Sequence, residues 1–235
     1  MILSHRHRFI FIKTSKTAGT SVEIALEPIC GEDDICAPLQ KHPDKPNTKE
    51  GEGSYRPRNH RGAFPVRFNP DRPITQFFMD LRNLRERRRY YNHMSAFEAK
   101  SRIGDDIFGR YFKFCFERNP WDKAVSAFFW EKDRIAGTPQ NFETYVQQRR
   151  LPSRFDLYTI GGKPVVDFVG KFENLDSDYR EAMARIGVSA PPPLPHAKGN
   201  WRPRDKAYRD YYNEVSRKAV AGQVAREIDL FGYVF

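Results

Sequence analysis

No run in this sequence approaches the ~20 consecutive apolar residues that a membrane-spanning helix needs. The opening "MILSHRHRFIFI" has a short apolar run with no cleavage-site pattern behind it. Cysteine is scarce: Cys30, Cys36 and Cys115 are three thiols and cannot all pair. Cys115 lies inside the apolar run "YFKFCF", where a buried thiol is the default, and a Cys30–Cys36 bridge is conceivable but unsupported. These absences lead us to expect a cytoplasmic protein with reduced thiols. An acidic balance is missing too, since 40 Lys+Arg against 30 Asp+Glu leave a formal charge of +10. Such a field concentrates anions near the surface. Nucleic acid, a phosphorylated nucleotide, an acidic glycan and peripheral contact with an anionic membrane all fit it, as does solubility alone. Fixed-period repeats are absent, and 235 residues suit one α/β domain spanning 1–235.

What is present begins with "FIFIKTSKTAGTSVEIAL", residues 9 to 26. Residues 8 to 12 read as a strand buried on both faces, as a parallel sheet between helices requires. Val22, Ala25, Leu26 and Ile29 recur at i, i+3, i+4 and i+7, one face of a helix that starts near Gly19 or Thr20 and is cut short by Pro28. Hydroxyls and Lys16 lie between, the layout of an anion cradle at a helix N-terminus. The G-x-x-x-x-G-K-[ST] spacing of a nucleoside-triphosphate loop is absent, because Lys16 precedes Gly19.

Residues 31 to 75 lose all periodicity in a stretch dense in proline, glycine and charge, although Phe64, Val66 and Phe68 alternate as a short edge strand would. We read 31–92 as a variable insertion that shapes an acceptor site or a lid. The arginines of "RNLRERRRYY" form a solvated helix face or a polyanion-binding run. "YFKFCFERNPWDKAVSAFFW", 111 to 130, repeats the strand, turn and helix pattern. Asn119 is its N-cap, Pro120 its first helical residue, and Trp121, Ala124, Val125, Phe128 and Phe129 its buried stripe. "PVVDFVGKF", 164 to 172, is a third strand leading to a helix stopped at Gly187, and one or two helices follow from 205 to 235. Three such units predict a three-layer α/β/α fold with a central parallel sheet, both polar turns opening at the carboxyl ends of the strands.

In the first turn, backbone N–H groups, the hydroxyls of Thr17, Thr20 and Ser21, and Lys16 can converge on one tetrahedral anion, with Gly19 allowing close approach. A helix start of this kind also serves as a simple cap. In the second turn, Arg118 and the Ser126 hydroxyl suit a dianionic phosphate. Arg118 could equally form a structural ion pair with Asp122 or Glu117. Two cradles on one sheet edge describe a ligand with phosphate-like groups at two separated positions.

"KTSKTAGTSVEIAL" resembles the 5′-phosphosulfate loop of sulfotransferases, written around P-K-T-G/A-G-T-S, and "FERNPWDKAVSAFF" resembles their 3′-phosphate motif R-N-P-W/Y-D-R-x-x-S. "YYNHMSAFEAKSRIG", "VDFVGKFENLDSDY" and the terminal "EIDLFGYVF" extend the resemblance to the carbohydrate-type (family 2) sulfotransferase domain over most of the chain. It implies a P-loop NTPase-like fold and the donor 3′-phosphoadenosine 5′-phosphosulfate (PAPS), with 3′-phosphoadenosine 5′-phosphate (PAP) as product. Lys16, Thr17, Ala18, Gly19, Thr20 and Ser21 would hold the 5′-phosphosulfate, and Arg118 with Ser126 the 3′-phosphate. Lys16 would also offset charge on the departing oxygen. His93 matches the family's general base, acting on an acceptor hydroxyl of a carbohydrate or glycolipid. Lys198 and Gly199 resemble a late loop closing over the donor, with Arg202 as helper. No metal is expected, since the transferring group is less charged than a phosphoryl group. The chain departs from the family pattern at Ser15, Glu117 and Lys123, and a carboxylate at 117 would weaken a neighbouring phosphate site unless it is paired or turned away. Two other readings compete. One is an ATP-dependent kinase, which lacks its triphosphate loop. The other is a non-enzymatic binder of nucleic acid or another polyanion, which lacks the aromatic and basic interleaving of RNA-binding motifs.

Overall fold

The strand read at residues 8 to 12 is present and is preceded by another. β1 (Ile2–Ser4) and β2 (Phe9–Phe11) form an antiparallel hairpin, and β1 also pairs antiparallel with β3 (Ile35–Cys36). β2 then runs parallel to β4 (Phe112–Glu117), and β4 parallel to β7 (Phe168–Lys171). The five-stranded sheet, in the order β3-β1-β2-β4-β7, is therefore mixed, which corrects the expectation of a purely parallel one. The computed structural model describes residues 1–39, 55–132, 134–148, 151, 154–195 and 205–235.

Alternation along the strands sends side chains to two cores. Phe9, Phe11, Phe114 and Phe116 pack with α1 (Gly19–Leu26) and α8 (Leu175–Arg185) on one face of the sheet. Ile10, Ile12 and Cys115 pack on the other with α3 (Ala96–Ile103), α4 (Asp105–Arg110) and α7 (Phe155–Tyr158). Helices on both faces of a largely parallel centre bear out the layered α/β reading. The predicted stripe of α5 (Pro120–Glu131) is buried, packed against α6 (Phe142–Gln148) and α9 (Glu214–Gln223) in a third cluster. Asn119 caps α5 as expected, accepting from the Trp121 and Asp122 N–H groups at 3.1 and 3.4 Å. α10 (Ala225–Phe231) ends the helical part of the chain.

Three further expectations need correction. The alternating Phe64, Val66 and Phe68 form no strand: Phe64 is buried under the Arg102 guanidinium and Phe68 is exposed. Lys163–Pro164 belongs to a separate two-stranded pair, β5 (Thr159–Ile160) with β6 (Lys163–Pro164), so the third parallel strand is shorter than read. Helix α2 (Ile74–Arg85) stops before most of the arginine run, with Arg87 in a left-handed turn and Arg88 bridged to Arg61. All three cysteines are buried free thiols.

Candidate functional site

The loop between β2 and α1 is braced from beneath. The Thr14 hydroxyl donates to the Phe116 carbonyl near the end of β4, so in its 2.8 Å contact with Thr17 the latter is the donor. The Thr17 hydroxyl, expected to face an anion, is thus spent inside the loop. Lys13 is buried and donates to Glu23 at 2.6 Å, and Glu23 also takes the Met1 ammonium. Burial works against the Glu23 carboxylate, but the charges of Lys13 and the Met1 ammonium outweigh it and hold its pKa below the usual range. Gly19 has a packing role beyond the one read from sequence: a Cβ there would sit 2.7 Å from Lys13 Cγ.

Lys16 and Ala18, on either side of Thr17, have left-handed φ values of 63° and 56°. Non-glycine residues resist this conformation by roughly 1–2 kcal/mol each. Left-handed residues interspersed in a loop in this way are a mark of a backbone anion nest, in which successive N–H groups face one concavity. Ala18, at the N-cap of α1, offers the first turn no side-chain acceptor. The structure therefore has N–H donors and a half-buried Lys16 at one helix start, with Thr20 and Ser21 buried alongside.

Arg118 brings the second turn against the first. Its NH1 donates to the Lys16 carbonyl at 3.1 Å, while Nε and NH2 grip Asp122 Oδ2 at 2.8 and 2.7 Å. The guanidinium lies 4.0 Å from the centre of the Phe172 ring. The structural pair with Asp122 is thus present, and the same contacts hold Arg118 beside the Lys16 loop. Asp122, Ser126 and Trp130 recur every four residues on the half-buried face of α5, and Lys16 Nζ sits 5.4 Å from the Trp130 ring centre. Ser126 therefore lies about one turn from Asp122, which pairs with Arg118, and one turn from Trp130, beside which Lys16 sits.

Two departures from the sulfotransferase pattern prove to be one interaction. Lys123 Nζ meets Glu117 Oε2 at 2.9 Å, both side chains are buried, and the Arg118 N–H adds a 3.2 Å bond to the same oxygen. The carboxylate is matched by its own cation. Glu117→Leu should cost about 3–5 kcal/mol by stranding a buried ammonium, and E117L/K123M should recover most of that. Urea unfolding tests the pair: a double variant no more stable than the single one would show that the two charges do not depend on each other.

His93 reaches the loop from the far side of the insertion. Its Nδ1 lies 3.1 Å from the Lys13 carbonyl, which can only accept, so Nδ1 carries the proton and the lone pair is on Nε2. Burial, then the charges of Lys13 and Arg154, push its pKa down to about 3 from 6.5. The folded protein thus refuses a proton that the unfolded chain takes near 6.5, so stability falls as pH drops from 6.5 toward 3. The His93 Cε1–H resonance should hold still between pH 8 and about 5; a midpoint near 6.5 would contradict the half-buried, neutral ring. Arg154 also donates to Ser15 Oγ at 3.2 Å, closing the loop from another side.

Sequence reasoning missed Lys13, Thr14, Glu23 and Arg154. Glu23 left a signal, a carboxylate at the edge of an apolar helical stripe, whereas Arg154 reaches Ser15 across 139 residues and left none. Lys198, Gly199 and Arg202 lie outside the described residues.

An uncharacterized protein of Archaeoglobus fulgidus is 35% identical over 100 residues, 40% of this chain and 83% of that protein. The chain belongs to that protein's family. No family model matches, and no solved structure matches. Among the described residues, no helix is long and apolar enough to cross a membrane.

Proposed function

We propose that this protein is a PAPS-dependent sulfotransferase with a P-loop NTPase-like core, acting on a hydroxyl of a carbohydrate or glycolipid. The observation that carries the reading is the Arg118 to Lys16 carbonyl contact, which joins two cationic turns at the carboxyl ends of neighbouring parallel strands. A ligand with anionic groups at both ends of a nucleotide suits that pair. The nest of 16–21 would take the 5′-phosphosulfate, with Lys16 beside the oxygen that leaves. Arg118 and the Ser126 face of α5 would take the 3′-phosphate. The Nε2 lone pair of His93 would accept the proton of the acceptor hydroxyl as that oxygen bonds to sulfur and the bond from sulfur to the bridging oxygen breaks, releasing PAP.

Thermal unfolding with PAP, ATP and a short oligonucleotide tests this. At 100 times its Kd, PAP should raise the melting temperature by about 5–10 °C. ATP, without a 3′-phosphate, should do much less. Equal stabilisation by ATP would favour the kinase, and stabilisation by the oligonucleotide alone a polyanion-binding role.

A further inference from the structure

Helix α2 is inverted relative to a helix that covers a core. Its buried residues are polar, Gln76, Asp80 and Asn83, and Asp80 Oδ1 collects Arg102 NH2 at 3.0 Å, the Tyr91 hydroxyl at 3.2 Å and Gln76 Nε2 at 3.4 Å. Most of its outward residues are apolar: Ile74, Phe78, Met79, Leu81 and Leu84 are 56, 62, 54, 43 and 37% exposed, with Thr75, Arg82 and Arg85 exposed among them. Phe68, 55% exposed, continues the surface through Phe77, whose ring centre lies 6.4 Å from that of Phe68 and 6.1 Å from that of Phe78. A contiguous apolar face of this kind on a polar-backed helix marks a contact surface.

The charges around it select the occupant. Arg67, Arg82, Arg85, Arg87 and Arg88 are all exposed near this face. The carboxylates nearby are Asp71, Asp80 and Glu86; Asp80 is buried with Arg102, and Glu86 is shared by Arg82 and Arg88 at 2.9 and 2.8 Å. Two copies meeting through this face would crowd like charges together. An anionic lipid surface satisfies both features, taking the apolar side chains at the headgroup boundary and the guanidinium groups on its phosphates.

We propose that α2 and Phe68 dock this protein on the surface of an anionic membrane. The docking stands whether or not the chain transfers sulfuryl groups, because none of its residues contacts the donor turns. If the proposed function also holds, the acceptor is a lipid-borne glycan. Gln76 and Asp80 bond Tyr91, two residues from His93, so the helix that meets the lipid is tied to the segment carrying the proposed base.

Co-sedimentation of the full chain with vesicles, without any nucleotide, tests the docking. One set is phosphatidylcholine alone, the other phosphatidylcholine with phosphatidylserine at roughly three to one. The protein should pellet with the second set only, and binding should fall at least tenfold between low and high salt. F78S/L81S and R85E/R88E should each lose at least tenfold while keeping the parent's far-UV circular dichroism and melting temperature, since all four side chains are exposed. Failure to bind either vesicle, or binding indifferent to both variants, would overturn the proposal. So would a dimer in light scattering, without vesicles, that F78S/L81S dissolves.

Discussion

Arg118→Ala should weaken PAP binding about 100-fold while changing binding of adenosine 5′-phosphosulfate, which lacks the 3′-phosphate, only a little. The guanidinium is already fixed by Asp122 at 2.7 and 2.8 Å and by the Lys16 carbonyl at 3.1 Å, so a phosphate would meet a pre-set fork and lose little to ordering it. Hydrogen bonds to charged groups contribute about 1.5–3 kcal/mol, which brackets a 100-fold effect. Arg118→Lys, keeping the charge but not the fork, should fall between the two. Calorimetric titration with both nucleotides reads the difference. An equal loss for both would mean that Arg118 only braces the Lys16 loop, and the 3′ site would have to be sought elsewhere.

His93→Ala should lower kcat by about 10²–10⁴-fold and leave the Kd for PAP unchanged. The ring is held by Lys13 through Nδ1 and kept neutral by its burial, so it stands ready to take a proton. A pKa near 3 describes a weak base, but a multiply charged donor bound beside the ring would favour its protonated form and raise its basicity during turnover. His93→Asn keeps an N–H for the Lys13 carbonyl but has no basic nitrogen, so it should be as slow as the alanine variant if proton transfer is the role. Sulfuryl transfer to glycan and glycolipid acceptors provides the assay, and turnover retained in His93→Ala would remove the residue from that part.

Local patterns in the sequence were legible where local physics decides them. The α5 stripe and its Asn119 cap depend on residues within three turns of each other, and both were readable. The β1–β2 hairpin was not. Its turn, His5 to Arg8, has no glycine, proline or asparagine, and it is stabilised by Asp34: the Ser4 hydroxyl and the His5 N–H both reach that carboxylate at 2.6 Å. A turn whose chemistry is supplied from 30 residues away leaves no local mark. The Glu117 anomaly was visible as a departure, but its resolution by Lys123 required the strand end and the first turn of α5 to be seen together. Helix α2 was read only at its arginine end, because its apolar residues face outward and its buried ones are polar, the reverse of a core-facing stripe.

The hairpin also sets how the sheet can assemble. Ser4 meets Phe9 across five residues, whereas Phe11 finds Phe114 across 103. Chain-closure entropy makes the second pairing harder to initiate by about 2.7 kcal/mol. The antiparallel pair offers an early template, and its β2 edge, backed by α1, is a ready surface for β4 to join. The parallel centre that carries both cationic turns is thus the slow, long-range part of the topology, built onto a short-range start.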